Sequence, residues 1–177
     1  MSTQSGQQNF SHCQPSSMSR EGFVSTFADV YEHSAWLAEA AYDRGLDKKY
    51  DQIGAMHQLM ADILLSSNHQ AQLDLINAHP DLAGKAAVRG ELTEASTNEQ
   101  AGAGISECNK EEFQRFTTLN DAYKAKFGFV FIMAVKGSNR YQILDAFEQR
   151  IHNSNDEEFE RALQEINKIA LFRLNDM

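Results

Sequence analysis

Within the run "NAHPDLAGKAA", residues 77–87, His79 stands directly before Pro80, one of only two prolines in the chain. Imidazole titrates near neutral pH and serves as a general acid or base. A proline disfavours helical geometry in the residue before it and fixes its own φ. His79 is therefore expected at the end of the apolar run Leu73, Leu75 and Ile76, in extended geometry and with its ring direction set by the chain. The ordinary structural account is a helix-terminal histidine that interacts with the last carbonyls.

Two further groups have residue types suited to chemistry. Ser96 and Glu99 stand three apart in "STNEQ", followed by Gln100. A capping box, with the serine at a helix start and the glutamate reaching back, explains the first two without any chemistry. Gln100 has no such explanation. Arg173 lies one turn beyond Ile169, where it complements a helix dipole or offers a fork-shaped donor to a planar anion. The other histidines give no metal-ligand spacing: His57 and His69 are far apart, and no H-E-x-x-H or paired-cysteine motif exists. His12, His33 and His152 read as tail, helix-end or surface residues. Phosphate-loop, dinucleotide and serine-hydrolase signatures are also missing.

Periodicity predicts the elements that position these residues. Phe23, Val24, Phe27, Val30 and Tyr31, then Trp36, Leu37, Ala40 and Ala41, recur at helical spacing, with a break near His33 and Ser34. Ile53 to Leu64 and residues 70–77 give two more helices. "AGKAAVRGELTEAST" reads as a loop. Asn109 with Glu112 is a second capping box, ahead of a stripe of Phe113, Phe116, Leu119, Tyr123 and Phe127. Helices over residues 141–152 and 156–174 close the chain, the latter with Phe159, Leu163, Ile166, Ile169 and Ala170 on one face. "FGFVFIMAV", residues 127–135, has strand propensity but no partner strand, so it is expected as an extended piece that offers backbone groups to a ligand. The expected fold is a single compact all-α domain over residues 19–177. Residues 1–18, polar and rich in Ser and Gln, are expected to be a flexible tail.

Composition narrows the function classes. At 177 residues the chain can bury a core without staples, and a formal net charge of −9 argues against a nucleic-acid or anionic-membrane surface. Cys13 and Cys108 suggest neither a disulfide framework nor a metal site. No apolar run suits a membrane span, and neither a secretory signal nor a peroxisomal address is legible, so a cytoplasmic location is expected.

Four blocks, "HPDLAGKAA", "LTEASTNEQAGAG", "FGFVFIMAVKG" and "EINKIALFRL", match in order and spacing. Together they resemble the family of 2-oxo-4-hydroxy-4-carboxy-5-ureidoimidazoline (OHCU) decarboxylases, over about residues 23–174. That family performs the last step from urate to (S)-allantoin, downstream of urate oxidase and hydroxyisourate hydrolase. The resemblance implies an all-helical fold, a homodimer, and no metal or organic cofactor. It makes His79 the catalytic histidine, assisted by Glu99, with Pro80, Ser96, Gln100 and Arg173 binding the substrate. It also implies substrate contacts from the backbone around Phe131 and Ile132. Val130 departs from the family's proline, restoring a backbone donor, and "AGAGI" departs from the usual A-G-L. The rival reading is a non-catalytic helical binding or adaptor protein that uses residues 127–135 or an exposed helix face. A metallohydrolase would require His57, His69 and His79 to converge.

Overall fold

The computed structural model describes residues 8–84 and 91–177. Among them stand eight α-helices and no strand, as the helical spacing predicts. The chain divides into two compact units. One comprises residues up to Leu75 with Asn167–Met177, the other Ile76–Ile166.

The first unit holds α1 (Arg20–Phe27), α2 (Ala35–Asp43), α3 (Ile53–Ser66) and parts of two further helices. Ser19 starts α1 by accepting the Gly22 N–H at 3.1 Å. The break before α2 falls at His33, whose φ of 48° leaves the helical region. α1 packs on α2 and α2 on α3. Their contact is filled by Phe23 stacked on Phe27, with Leu37, Met56, Met60 and Leu64 fully buried. Each such side chain contributes about 1.5–3 kcal/mol by leaving water.

Residues 9–18 do not behave as the tail that composition suggests. Asn9 bridges to Gln52, Phe10 is buried against Phe27, and Ser16 donates from its N–H and its hydroxyl to the Asp51 carboxylate at 2.8 and 2.7 Å. Two apolar anchors, Phe10 and Pro15, are buried in a segment whose average composition is polar. A mean over eighteen residues hides them.

The second unit contains α5 (Glu94–Gly102), α6 (Lys110–Phe127), α7 (Arg140–Arg150) and the first part of α8 (Asn155–Asn175). α4 (His69–Ala78) ends in it. The loop expected over residues 83–97 includes residues 85–90, which lie outside the described residues, and it is already helical from Glu94. Asn109 caps α6 by accepting the Glu112 N–H at 2.8 Å. The reciprocal capping box instead stands at α7, between Asn139 and Gln142. α6 stops at Gly128, whose φ of 80° turns the chain into the segment beyond.

That segment, expected as an extended piece, is neither helix nor strand over residues 128–135. Its backbone groups are met by side chains instead of a partner strand. Asn77 Oδ1 accepts the Val130 N–H at 3.3 Å, and Arg150 Nη1 donates to the Ile132 carbonyl at 2.6 Å. Glu165 Oε2 accepts the Ala134 N–H at 2.9 Å. Phe131 stacks on Phe147 with ring centroids 3.7 Å apart, and Tyr123 meets Phe131 edge-on. An unpaired chain can thus be buried without orphaning its polar groups.

Candidate active site

His79 follows the last residue of α4, as Pro80 requires, and its N–H reaches the Ile76 carbonyl at 3.2 Å. It is 8% exposed. Pro80 is half-buried beside it. The chain then turns tightly: the Gly84 N–H reaches the Asp81 carbonyl at 3.3 Å, and Ala83 takes a φ of 54°. A Cβ on Gly84 would stand 2.6 Å from Asp81 Cβ, so only glycine fits there. Left-handed geometry costs a non-glycine residue about 1–2 kcal/mol, so other contacts must hold this turn.

Those contacts come from α5 and α6. Gln100 Oε1 accepts the Ala83 N–H at 3.2 Å, and its amide nitrogen lies 3.5 Å from the Asp81 carbonyl. Asn120 Nδ2 donates to the Leu82 carbonyl at 2.9 Å, and Lys124 Nζ donates to Asp81 Oδ2 at 2.7 Å. Gln100, simply a polar residue by spacing, is 5% exposed and committed to the turn that carries His79.

Ser96 is not the helix cap. Thr93 is, its hydroxyl accepting the Ser96 N–H at 3.2 Å. Ser96 therefore lies inside the first turn of α5 and is buried, with Glu99 half-buried one turn on. The capping account that would have kept Ser96 and Glu99 out of any chemistry does not apply to them.

The second unit thus brings three of the sequence blocks together. The His79 turn is held by Gln100 of the Ser96 to Gln100 helix, and Asn77, two residues before His79, is bonded to Val130 in the segment that contains Phe131 and Ile132. Both Phe131 and Ile132 are buried. The Ile132 carbonyl is occupied by Arg150, whose Nε also pairs with Glu158 at 2.9 Å. Glu158 accepts in addition from the Tyr123 hydroxyl at 2.7 Å. Burial first, and then the Glu158 carboxylate, push the Tyr123 phenol well above its ordinary range.

Arg173 belongs to the first unit. It is 9% exposed, with Nη1 2.9 Å from Glu32 Oε2 and 3.1 Å from the Asp29 carbonyl. Its position in the last turn of α8 suits the dipole, but the dipole does not explain its burial with a carboxylate.

Asn120, Arg150 and Glu32 were not legible as candidates. The available signal was a polar residue at an apolar position, as with Asn120, four residues after Phe116 in the buried stripe and in place of the expected Leu119. Among the described residues no three histidine, cysteine or acidic side chains gather as metal ligands would. His57 is engaged elsewhere, its Nε2 2.8 Å from the Asn167 carbonyl oxygen.

The family model described as OHCU decarboxylase matches residues 16–175. A curated relative from Halalkalicoccus jeotgali, 2-oxo-4-hydroxy-4-carboxy-5-ureidoimidazoline decarboxylase, is 40% identical over 89% of this chain and 86% of its own. The chain belongs to the OHCU decarboxylase family. The crystal structure of an (S)-allantoin synthase has the same fold as this family member, with a TM-score of 0.69 and 30% identity over 92% of this chain. This chain spans 52% of that longer one. A uric acid degradation bifunctional protein from Bacillus sp. strain TB-90 is 36% identical over 90% of this chain, which covers 30% of it.

Proposed function

We propose that this OHCU decarboxylase family member converts 2-oxo-4-hydroxy-4-carboxy-5-ureidoimidazoline to (S)-allantoin in urate catabolism. The observation that carries the reading is the gathering, in one unit, of the His79–Pro80 turn, the helix with Ser96, Glu99 and Gln100, and the segment with Phe131 and Ile132. A binding or adaptor protein has no need to hold these three together.

Decarboxylation needs an acceptor for the electrons of the broken C–C bond, a task often given to an organic cofactor. Here the carbon that loses carbon dioxide adjoins a ring C=N bond. The bond pair moves into that system and the imine nitrogen takes a proton. The neighbouring hydroxyl later gives up its proton to become a carbonyl, and the former imine carbon gains one. The substrate therefore accepts its own electrons, and the protein needs neither metal nor organic cofactor.

His79, assisted by Glu99, engages the ring hydroxyl and handles its proton. Ser96 and the remaining amide capacity of Gln100 receive the ring and ureido groups, and Pro80 packs beside them. Backbone groups around Phe131 and Ile132 complete the pocket, with Arg150 fixing the segment through the Ile132 carbonyl. Arg173 takes the role of anion donor on the strength of the family resemblance. Protonation on one face of the planar intermediate gives the (S) product.

The family match over residues 16–175 supports reading residues 19–177 as one decarboxylase domain. The resemblance further suggests a cytoplasmic homodimer that works after urate oxidase and hydroxyisourate hydrolase. No helix among the described residues is long and apolar enough to cross a membrane.

The test is circular dichroism of allantoin formed from urate, with those two enzymes generating the substrate in place. Wild type should give rapid, optically active (S)-allantoin, and a folded His79→Ala variant only the slow racemic background. Equal behaviour of both would remove His79 from the chemistry, and a wild type no faster than the background would remove the activity itself.

A further inference from the structure

We infer that Asn120 and Lys124, one turn apart on α6, are positioning residues for the His79 imidazole. The inference rests on the proposed role of His79. Neither residue sits in the blocks that carry the family resemblance.

Two short links connect them to His79. Lys124 Nζ holds the Asp81 carboxylate at 2.7 Å, and Asn120 Nδ2 holds the Leu82 carbonyl at 2.9 Å. Only Pro80, whose ring fixes φ, separates Asp81 from His79. On the other side the His79 N–H is anchored to the Ile76 carbonyl at the end of α4. The imidazole therefore stands on a backbone pinned at both ends, and slack on the α6 side passes to it through a rigid residue.

Fold stability alone gives a poor account of Asn120. It is 3% exposed in a stripe otherwise made of Phe116, Tyr123 and Phe127, where helix packing by itself calls for an apolar residue. Its Oδ1 and Asp81 Oδ1 are buried with no hydrogen-bond partner among the described residues. A half-satisfied buried amide is unfavourable for folding. The turn it grips contains a left-handed alanine, a geometry that persists only where surrounding contacts over-determine it and that gathers at functional sites.

The experiment compares Asn120→Leu, Lys124→Gln and Lys124→Arg with wild type and His79→Ala, measuring kcat, KM and urea stability. Histidine-ring NMR of His79 follows the imidazole directly. The expected result is a kcat lowered roughly tenfold to a hundredfold in Asn120→Leu and Lys124→Gln, since small misplacements of reacting groups cost on that order. KM should stay within about twofold if the loss is confined to the transition state. The His79 ring resonances should shift or broaden, and Lys124→Arg should restore most of the rate. Lys124 is part-exposed, so its variants remain informative even where Asn120→Leu does not fold. Wild-type kcat and an unmoved His79 signal in Lys124→Gln would overturn the inference, as would activity losses that simply track stability. Wild-type turnover by His79→Ala would instead overturn the proposed role of His79. An inactive His79→Ala beside fully active clamp variants would remove the clamp alone.

Discussion

Thr93 and Ser96 show how a shift of three residues changes the meaning of a motif. Both residue types cap helices, and "STNEQ" contains a valid capping box on spacing alone. The Thr93 hydroxyl takes the position first, at 3.2 Å from the Ser96 N–H. The two roles separate by mutation. Thr93→Ala should cost about 1 kcal/mol of stability in urea, the usual value for a lost N-cap, while kcat is kept. Ser96→Ala should leave the start of α5 capped and instead raise KM in the allantoin assay. If Ser96→Ala lost the cap energy and bound substrate normally, the assignment would be reversed.

At the scale of elements, residues 128–135 persist because side chains replace a partner strand. Arg150 is central: it bonds Ile132, pairs with a Glu158 that is fully buried, and lies 4.3 Å from the Phe131 ring centroid. Removing one partner of a buried pair leaves the other charge uncompensated. Arg150→Met should therefore destabilise the fold by about 3–5 kcal/mol, read as a lower urea midpoint. Hydrogen exchange should rise at the amides of residues 129–134. A stability loss below about 1 kcal/mol would show that the segment is held by its aromatic packing instead.

The whole molecule carries an alkaline limit. Each unit contains a buried tyrosine with a raised pKa: Tyr31, through burial, in the first and Tyr123, through burial and then Glu158, in the second. Their hydroxyls donate to Asn167 and Glu158. A group whose folded pKa lies above its unfolded value binds its proton more tightly when folded. The resulting stability is full below the unfolded value of about 10 and declines as pH rises past it. Unfolding monitored by helix content should therefore become steeply pH-dependent above about pH 10. Part of the tyrosinate absorbance should appear only together with that unfolding. Ionisation of all five tyrosines before any loss of helix would refute this.

Much of the protein was legible in its sequence for a physical reason: helix periodicity and caps act over three or four residues, which a one-dimensional reading resolves. α1 to α4 and α6 to α8 follow from it, as does the placing of His79 at a helix end by Pro80. The four family blocks pointed to the reaction because their order and spacing survive in the chain itself. Tertiary structure alone decided which of two neighbouring hydroxyls caps α5, that Phe10 and Pro15 anchor a polar segment, and that Asn77, Arg150 and Glu165 satisfy a chain without a strand partner. It also decided that Asn120 and Lys124, some forty residues from His79, grip the turn beside it. Such contacts depend on distance in space between groups with no fixed separation along the chain, so no local pattern encodes them.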